Sequence, residues 1–361
     1  MLQIVNGRAI ATQDYFITYK ENGQNELDFE LARSDPAWPG ITEQVTQILE
    51  STEGQKYTVK KLAQNGSNVR VSCKLSLEDW QEDIFINLSD MSKDGFSHAW
   101  QEDTMLSNLV GTGTHLATAG WSAVSDIAAG HHKTREISMA GPTPLDVLTQ
   151  MAKTFKCAFA FDTGQKTATI FYPADRPMGS AYAVETVNLL EAPIYKGDAS
   201  SIVSRIYPIG KEGLGIQSVH PQGLRYVQDT THTGGKIISK IWRDERYESA
   251  VNLYADALEK LEEESQPRRS WQLKVADLHA IDPQAWPGLS LGMFDKIRLV
   301  DVVRDERFDV QIRGMKKYPY YPERTLLTVA TTTLTVQGVT KALSEAINDP
   351  NSEFYQKLSN S

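Results

Sequence analysis

Cysteine is scarce: Cys73 and Cys157 are the only two in 361 residues. Both stand among alternating or apolar neighbours ("VRVSCKLSL", "TFKCAFAF"), which argues against a disulfide framework or a cysteine metal pair and for two buried thiols. Long apolar runs are missing as well. No stretch approaches membrane-spanning length, and the N-terminus "MLQIVNGRAIATQDYF" lacks the basic start, apolar region and small-residue cleavage site of a signal peptide. The chain is therefore expected to be soluble, made and folded in the cytoplasm. The third shortage is basic charge. With 37 Lys and Arg against 46 Asp and Glu, the formal net charge is −9, which argues against a protein that grips nucleic acid through phosphate contacts. A like-charged wall past which nucleic acid slides remains compatible with that balance.

Complete catalytic motifs are lacking too. The histidines His98, His115, His131, His132, His220, His232 and His279 are scattered, and none opens an HExxH zinc site. "GHHKTRE" has no glutamate one residue after its first histidine, so its His pair is read as an exposed loop. No GxSxG elbow occurs, and "VGTGTHLATAG" has no long capped helix after a buried strand, so its glycines are read as turn residues. In "DMSKDGFSHAWQ", Asp90, Ser92, Asp94 and Gly95 take positions one, three, five and six of a calcium-loop pattern, but position twelve is Gln101 where a bidentate glutamate is needed. A plain Asp/Gly turn is the competing reading, and no cofactor is expected. Seven tryptophans are dispersed, as core or interface anchors are, rather than aligned as a sugar-binding row.

What the sequence does have is an apolar fraction of 40% arranged mostly with a period of two. In "ELDFELAR", Leu27, Phe29 and Leu31 alternate with polar residues; in "NVRVSCKLSL", Val69, Val71, Cys73, Leu75 and Leu77 do the same. Asn65-Gly66 between two such runs is a hairpin signal. A small barrel or sandwich is expected from this first part. "GPTPLDVLTQMAKTFKCAFAFDTGQKTATIFYP" predicts a helix capped by Thr143, with Pro144 first and Leu145, Leu148, Ala152 and Phe155 on one face. A hairpin turning at Asp162-Thr163-Gly164 follows. A second helix is expected from about Tyr247 to Glu264, with Val251, Tyr254, Ala255, Leu258 and Leu261 buried and Glu262 to Glu264 solvated; Pro267 stops it. The strands "SWQLKVADL", "FDKIRLVDVV", "ERFDVQIRGMKKY" and "RTLLTVATTT" complete the pattern, with Phe308, Val310 and Ile312 expected inside and Asp309, Gln311 and Arg313 outside.

The succession "VSCKLSLEDW", "LSNLVGTG…AGW", "TPLDVLTQMAKTFKCAFAFDTGQKTATIFYP", "DASSIVSRIYPIGKEGLGI" and "DKIRLVDVVRDERFDVQIRGMKKYPYYPERTLLTV" resembles the N-terminal region of prophage tail endopeptidases and tail-associated lysins. These are similar in fold to phage baseplate hubs. The best marker is Ser201 to Gly215, which follows a "T-x-L-Y-P-x-G-x-x-x-L-x-I" type with Tyr207, Pro208 and Gly210 in register. Ser204 and Ile206 stand where Thr and Leu are commoner, and Phe294 stands where a Gly-Asp pair usually enters the strand.

The resemblance implies an α+β, mainly β, multi-domain hub-like fold with two β-barrel tube-like domains and two smaller α+β domains. The expected division is 1–90 (tube-like barrel), 91–180 (α+β), 181–214 with 266–335 (second barrel), 215–265 (helical insertion) and 336–361 (C-terminal helix and tail). It further implies a homotrimer in the virion tail tip or baseplate, closing the tube. Its expected partners are a distal tail or tube protein, the tape measure and a fibre, with DNA passing unbound through the channel and the bacterial envelope contacted indirectly. The chain is expected to end soon after the hub-like part without a lysin domain, so no catalytic residue is carried over. The rival readings are a tail-associated cell-wall hydrolase, with a site in the α+β part or near His220 and His232, and a host-surface carbohydrate-binding module.

Overall fold

The computed structural model describes residues 1–85, 99–137, 139–184, 187–198, 201–245, 247–302 and 305–331. Asp90, Ser92 and Asp94, His98 and the 336–361 tail lie outside them. The chain forms two compact units, one built from Met1–Ala192 with Leu273–Thr328 and the other from Pro193–Gln272. It is mainly β with a few helices, and among the described residues no helix is long and apolar enough to cross a membrane.

Alternation becomes strands where one face can be buried. In Glu26–Ala32 the residues Leu27, Phe29 and Leu31 point inward, and the strand pairs antiparallel with both Tyr15–Tyr19 and Asn68–Leu75. Gln55–Asn65 and Asn68–Leu75 close on Gly66-Ser67, with Asn65 opposite Asn68. Gly66 has φ +60°, a conformation that glycine adopts without steric cost. The meander continues through Gln47–Glu50, Leu2–Ile4 and Ala9–Ile10. At its other side Met315 to Lys317 pair with Ile17 to Tyr19, so the C-terminal strand Glu306–Lys317 joins the N-terminal ladder. Lys296–Asp301 lies antiparallel to that strand and parallel to Met178–Val184. The strand order is an open path, and no closed barrel is seen among the described residues.

Gln311 and Arg313 depart from the expected alternation. Both are buried, because Glu306–Lys317 is flanked by strands and, from Val310 to Met315, covered on both faces. Gln311 Nε2 donates to Pro173 O at 2.6 Å and Phe294 O at 2.7 Å, and Arg313 Nη1 meets Glu21 Oε1 at 3.5 Å. Period two reports a half-buried strand, whereas a covered strand must satisfy its polar side chains internally.

The α+β part of this unit follows the expected order. Thr143 caps Pro144–Phe155 in a reciprocal box with Asp146: Asp146 N donates to Thr143 Oγ1 at 3.2 Å and Thr143 N to Asp146 Oδ2 at 2.9 Å. Caps of this kind stabilise by about 1 kcal/mol. The helix buries Leu145, Val147, Leu148, Met151 and Phe155, leaving Ala152 half-buried, against Ala158–Asp162 and Thr167–Phe171. Trp80 is fully buried, edge-on to Trp121 and Phe161 at centroid distances of 5.3 and 5.6 Å. Trp100 and Trp271 are buried as well, so the tryptophans act chiefly as core anchors.

Phe294 is buried with φ +67°, a left-handed conformation costly for a bulky residue. It is held there by its amide donating to Ile312 O at 2.9 Å and by its ring meeting Phe171 at 5.5 Å. The place where glycine is usual is thus a left-handed turn, kept here by packing.

In the second unit, Arg205–Ile209 is central, antiparallel to Val227–Gln228 and parallel to Ser239–Arg243; Ile194–Asp198 pairs separately with Arg268–Val275. The helix begins at Ala250, three residues later than expected, after Ser249 in extended conformation. Tyr247 instead donates its hydroxyl to Asp256 and packs edge-on against Trp242. The buried stripe is Leu253, Ala257 and Leu261, whereas Val251 and Leu258 are exposed. Both stripes satisfy a helical period, and the shape of the sheet beneath selects between them.

Candidate assembly surface

The marker segment consists of residues that build the second unit. Ser204 is fully buried, and its Oγ donates to Lys236 O at 2.9 Å while accepting from Ile238 N at 2.8 Å, which fixes the entry of the neighbouring strand. Ile206 and Ile216 are fully buried beneath the helix. Pro208 is tolerated in a central strand for a geometric reason. Arg205 N donates to Ile238 O and Ile209 O accepts from Asp244 N, so odd-numbered residues bond towards Ser239–Arg243. Pro208 faces the other side, where Val227–Gln228 reaches only Arg205 and Ile206, and no ladder bond is lost. Gly210 is required by crowding: a Cβ there would lie 2.7 Å from Tyr247 O.

The helix covers one face of this sheet. Lys240, in register with Ile206, reaches Glu264 Oε1 at 2.8 Å, and Lys260 reaches the same oxygen at 3.2 Å. Burial alone would raise the Glu264 carboxyl, but the two lysines outweigh it and hold the group below the usual carboxylate range. Glu264 is therefore a tie between helix and sheet, not the solvated residue expected from its acidic run.

The opposite face carries a rung of Tyr226, Tyr207 and Ile241: Tyr207 and Ile241 are in strand register, and Tyr226, just before Val227–Gln228, joins them through its ring. The two tyrosine rings are 5.4 Å apart, the Arg205 guanidinium lies 4.0 Å from the Tyr226 ring centroid, and Arg205 Nε donates to Gln228 Oε1 at 2.8 Å. Ile241 is 60% exposed, and Ile237 and Ile238 just before it are exposed too. Ile194 and Tyr195 are likewise exposed on their own strand. Apolar side chains on strands of a small sheet are typical of surfaces that pair or pack with other chains.

Other sequence candidates are dispersed. His131 Nδ1 meets Asp175 at 2.8 Å, whereas the half-buried His132 meets the fully buried Glu102 at 3.2 Å. The adjacent histidines thus serve two different carboxylates, and only His131 is the exposed loop residue expected. His220 accepts from Gln222 N at 3.1 Å and packs against Tyr254, while His232 is exposed; no hydrogen bond joins the two among the described residues. Cys73 and Cys157 are buried free thiols, and burial pushes both far above the ordinary thiol range. The rung is invisible in the sequence because Tyr226 lies in a bend just before the two-residue strand Val227–Gln228, where no periodicity marks it.

Residues 190–340 match the family described as "Prophage endopeptidase tail". No curated protein matches the chain. In fold it is similar to prophage tail protein gp18 of Listeria monocytogenes, at 15% identity and TM-score 0.64 over 93% of this chain and 94% of that one. A Shewanella oneidensis prophage tail protein matches at 14% identity and TM-score 0.56 over 92% and 96%. A Neisseria meningitidis tail protein matches at 11% and 0.57 over 91% and 94%. Residues 190–340 thus resemble the prophage endopeptidase tail family, and over nearly the whole chain the fold is similar to that of solved prophage tail proteins.

Proposed function

We propose that this chain is a structural protein of a phage or prophage tail, a hub or tail-tip subunit that assembles as a homotrimer and closes the tube. The observation that carries the reading is the rung of Tyr226, Tyr207 and Ile241, centred on the marker strand through Tyr207. Two half-buried tyrosines beside the exposed Ile241, flanked by Arg205, have the composition of a protein interface core. In this reading residues 1–90 and the pair 181–214 with 266–335 are the tube-like modules, whose open sheets would close against neighbouring subunits. Tyr226 and Ile241 of the helical insertion 215–265, together with Tyr207 from 181–214, present the rung to a tail partner such as the tube protein or a fibre. The role is assembly rather than catalysis, and the acidic balance suits a channel through which DNA passes unbound.

Light scattering behind size exclusion, over a wide concentration range, tests this. The expected mass is near three times 40.3 kDa, and Ile241→Asp is expected to lower the assembled fraction while changing monomer stability by no more than about 0.5 kcal/mol. A monomer at every concentration, together with turnover of purified cell wall, would replace the hub with the hydrolase reading.

A further inference from the structure

Outside the assembly surface, within the first unit, Asp79, Glu82 and His115 each present one ligand atom, and these atoms all lie within 4.8 Å of one another. Asp79 and Glu82 stand three apart on the helical turn Asp79–Glu82, a spacing that puts both on one side. His115 opens the turn His115–Thr118, held by Thr114 Oγ1 accepting from Ala117 N at 3.1 Å.

His115 Nε2 is shielded from solvent although its ring is partly exposed, and it lies 2.7 Å from Glu82 Oε2 without the alignment of a hydrogen bond. Asp79 is oriented through one oxygen: Oδ2 accepts from Trp121 Nε1 at 2.8 Å and from Lys166 Nζ at 2.9 Å. Lys166 is itself positioned by Ala119 O at 2.8 Å, and Trp121 by the aromatic cluster around Trp80. Both donors use the same oxygen, Oδ2. Hydrogen bonds that steer a carboxylate are the support that metal ligands characteristically have.

We infer that Asp79, Glu82 and His115 form a binding site for a divalent transition-metal ion of the zinc class. One imidazole nitrogen and two carboxylates suit zinc, cobalt or manganese, whereas calcium takes oxygens alone and copper(I) prefers sulfur. Water completes the coordination. The ion ties the turn that follows the N-terminal meander to the turn that precedes Trp121, so its effect is on stability.

The test uses the full chain after dialysis against chelator, titrated with zinc chloride by calorimetry and with cobalt chloride by visible absorption. One ion per chain is expected, with zinc raising the thermal midpoint in proportion to occupancy. Glu82→Gln, at an exposed position, and His115→Ala should each weaken binding roughly tenfold or more. His131→Ala should leave it unchanged. The site is overturned if Glu82→Gln binds zinc as tightly as the parent, if His131→Ala abolishes binding, or if zinc moves neither the heat signal nor the midpoint. The triad is then a surface cluster that holds no metal ion.

Discussion

The two units solve the same burial problem differently. The first hides Trp80, Tyr15, Tyr57 and Phe155 completely in one continuous core, while the second holds Ile206, Ile216 and Val227 against a single helical stripe. Among the described residues, seven large apolar side chains are exposed within Pro193–Gln272, against eleven in all the rest of the chain. A small unit buries a smaller fraction of its surface and is correspondingly marginal alone. Its stability is therefore expected to be the lower of the two.

The largest effects come from deleting a core side chain in each unit. Trp80→Ala should cost about 3–5 kcal/mol and Leu253→Ala about 2–5 kcal/mol. Hydrogen exchange separates them: Leu253→Ala should expose amides of 203–265 while 57–75 stay protected. Equal loss of protection in both regions would show a single cooperative unit and end the contrast.

Phe294 sharpens the account of the first unit. Removing its ring should cost roughly 3–5 kcal/mol, yet Phe294→Gly should be more stable than Phe294→Ala by about 1 kcal/mol, because glycine relieves the left-handed backbone. Alanine equal to or better than glycine in denaturant melts would show that the turn holds no strain.

In the second unit Gly210→Ala should cost about 1–3 kcal/mol, since its new methyl meets the Tyr247 carbonyl. Tolerance of alanine, measured by thermal melting, would mean that this loop gives way and that the marker glycine is not set by crowding.

The smallest effect concerns pH. Burial in the first unit pushes the Lys316 amine down to about 8, with Nζ 3.5 Å from the Phe16 ring centroid. An unfolded lysine keeps its proton to about pH 10.4, so between about 8 and that value the unfolded chain binds more protons and the folded state gains stability as pH rises. Below about 8 both states are protonated and the burial penalty is complete. Lys316→Met should therefore flatten the rise in thermal midpoint above pH 8; an unchanged slope would show that the amine ionises normally.

Much of the fold was legible. The capped helix at Thr143, the Gly66 hairpin, the buried thiols and the final strands follow from local chemistry at each position. The helical stripe was misread because Val251 and Leu258 share a period with Leu253 and Ala257, and only the sheet beneath distinguishes them. Gln311 and Arg313 were misplaced because alternation carries no information about a second covering layer. At the candidate surface Tyr207, Pro208 and Gly210 were visible as a motif, but Tyr226 and Ile241 were not.

By itself the sequence determined most of the strands and helices and where they turn, because period, caps and turn residues act over a few neighbours. The tertiary structure alone decided that Ile17 to Tyr19 would pair with Met315 to Lys317, that Ile241 would align with Tyr207, and that Asp79, Glu82 and His115 would converge. Those juxtapositions depend on long-range pairing and register, which no local pattern along the chain encodes.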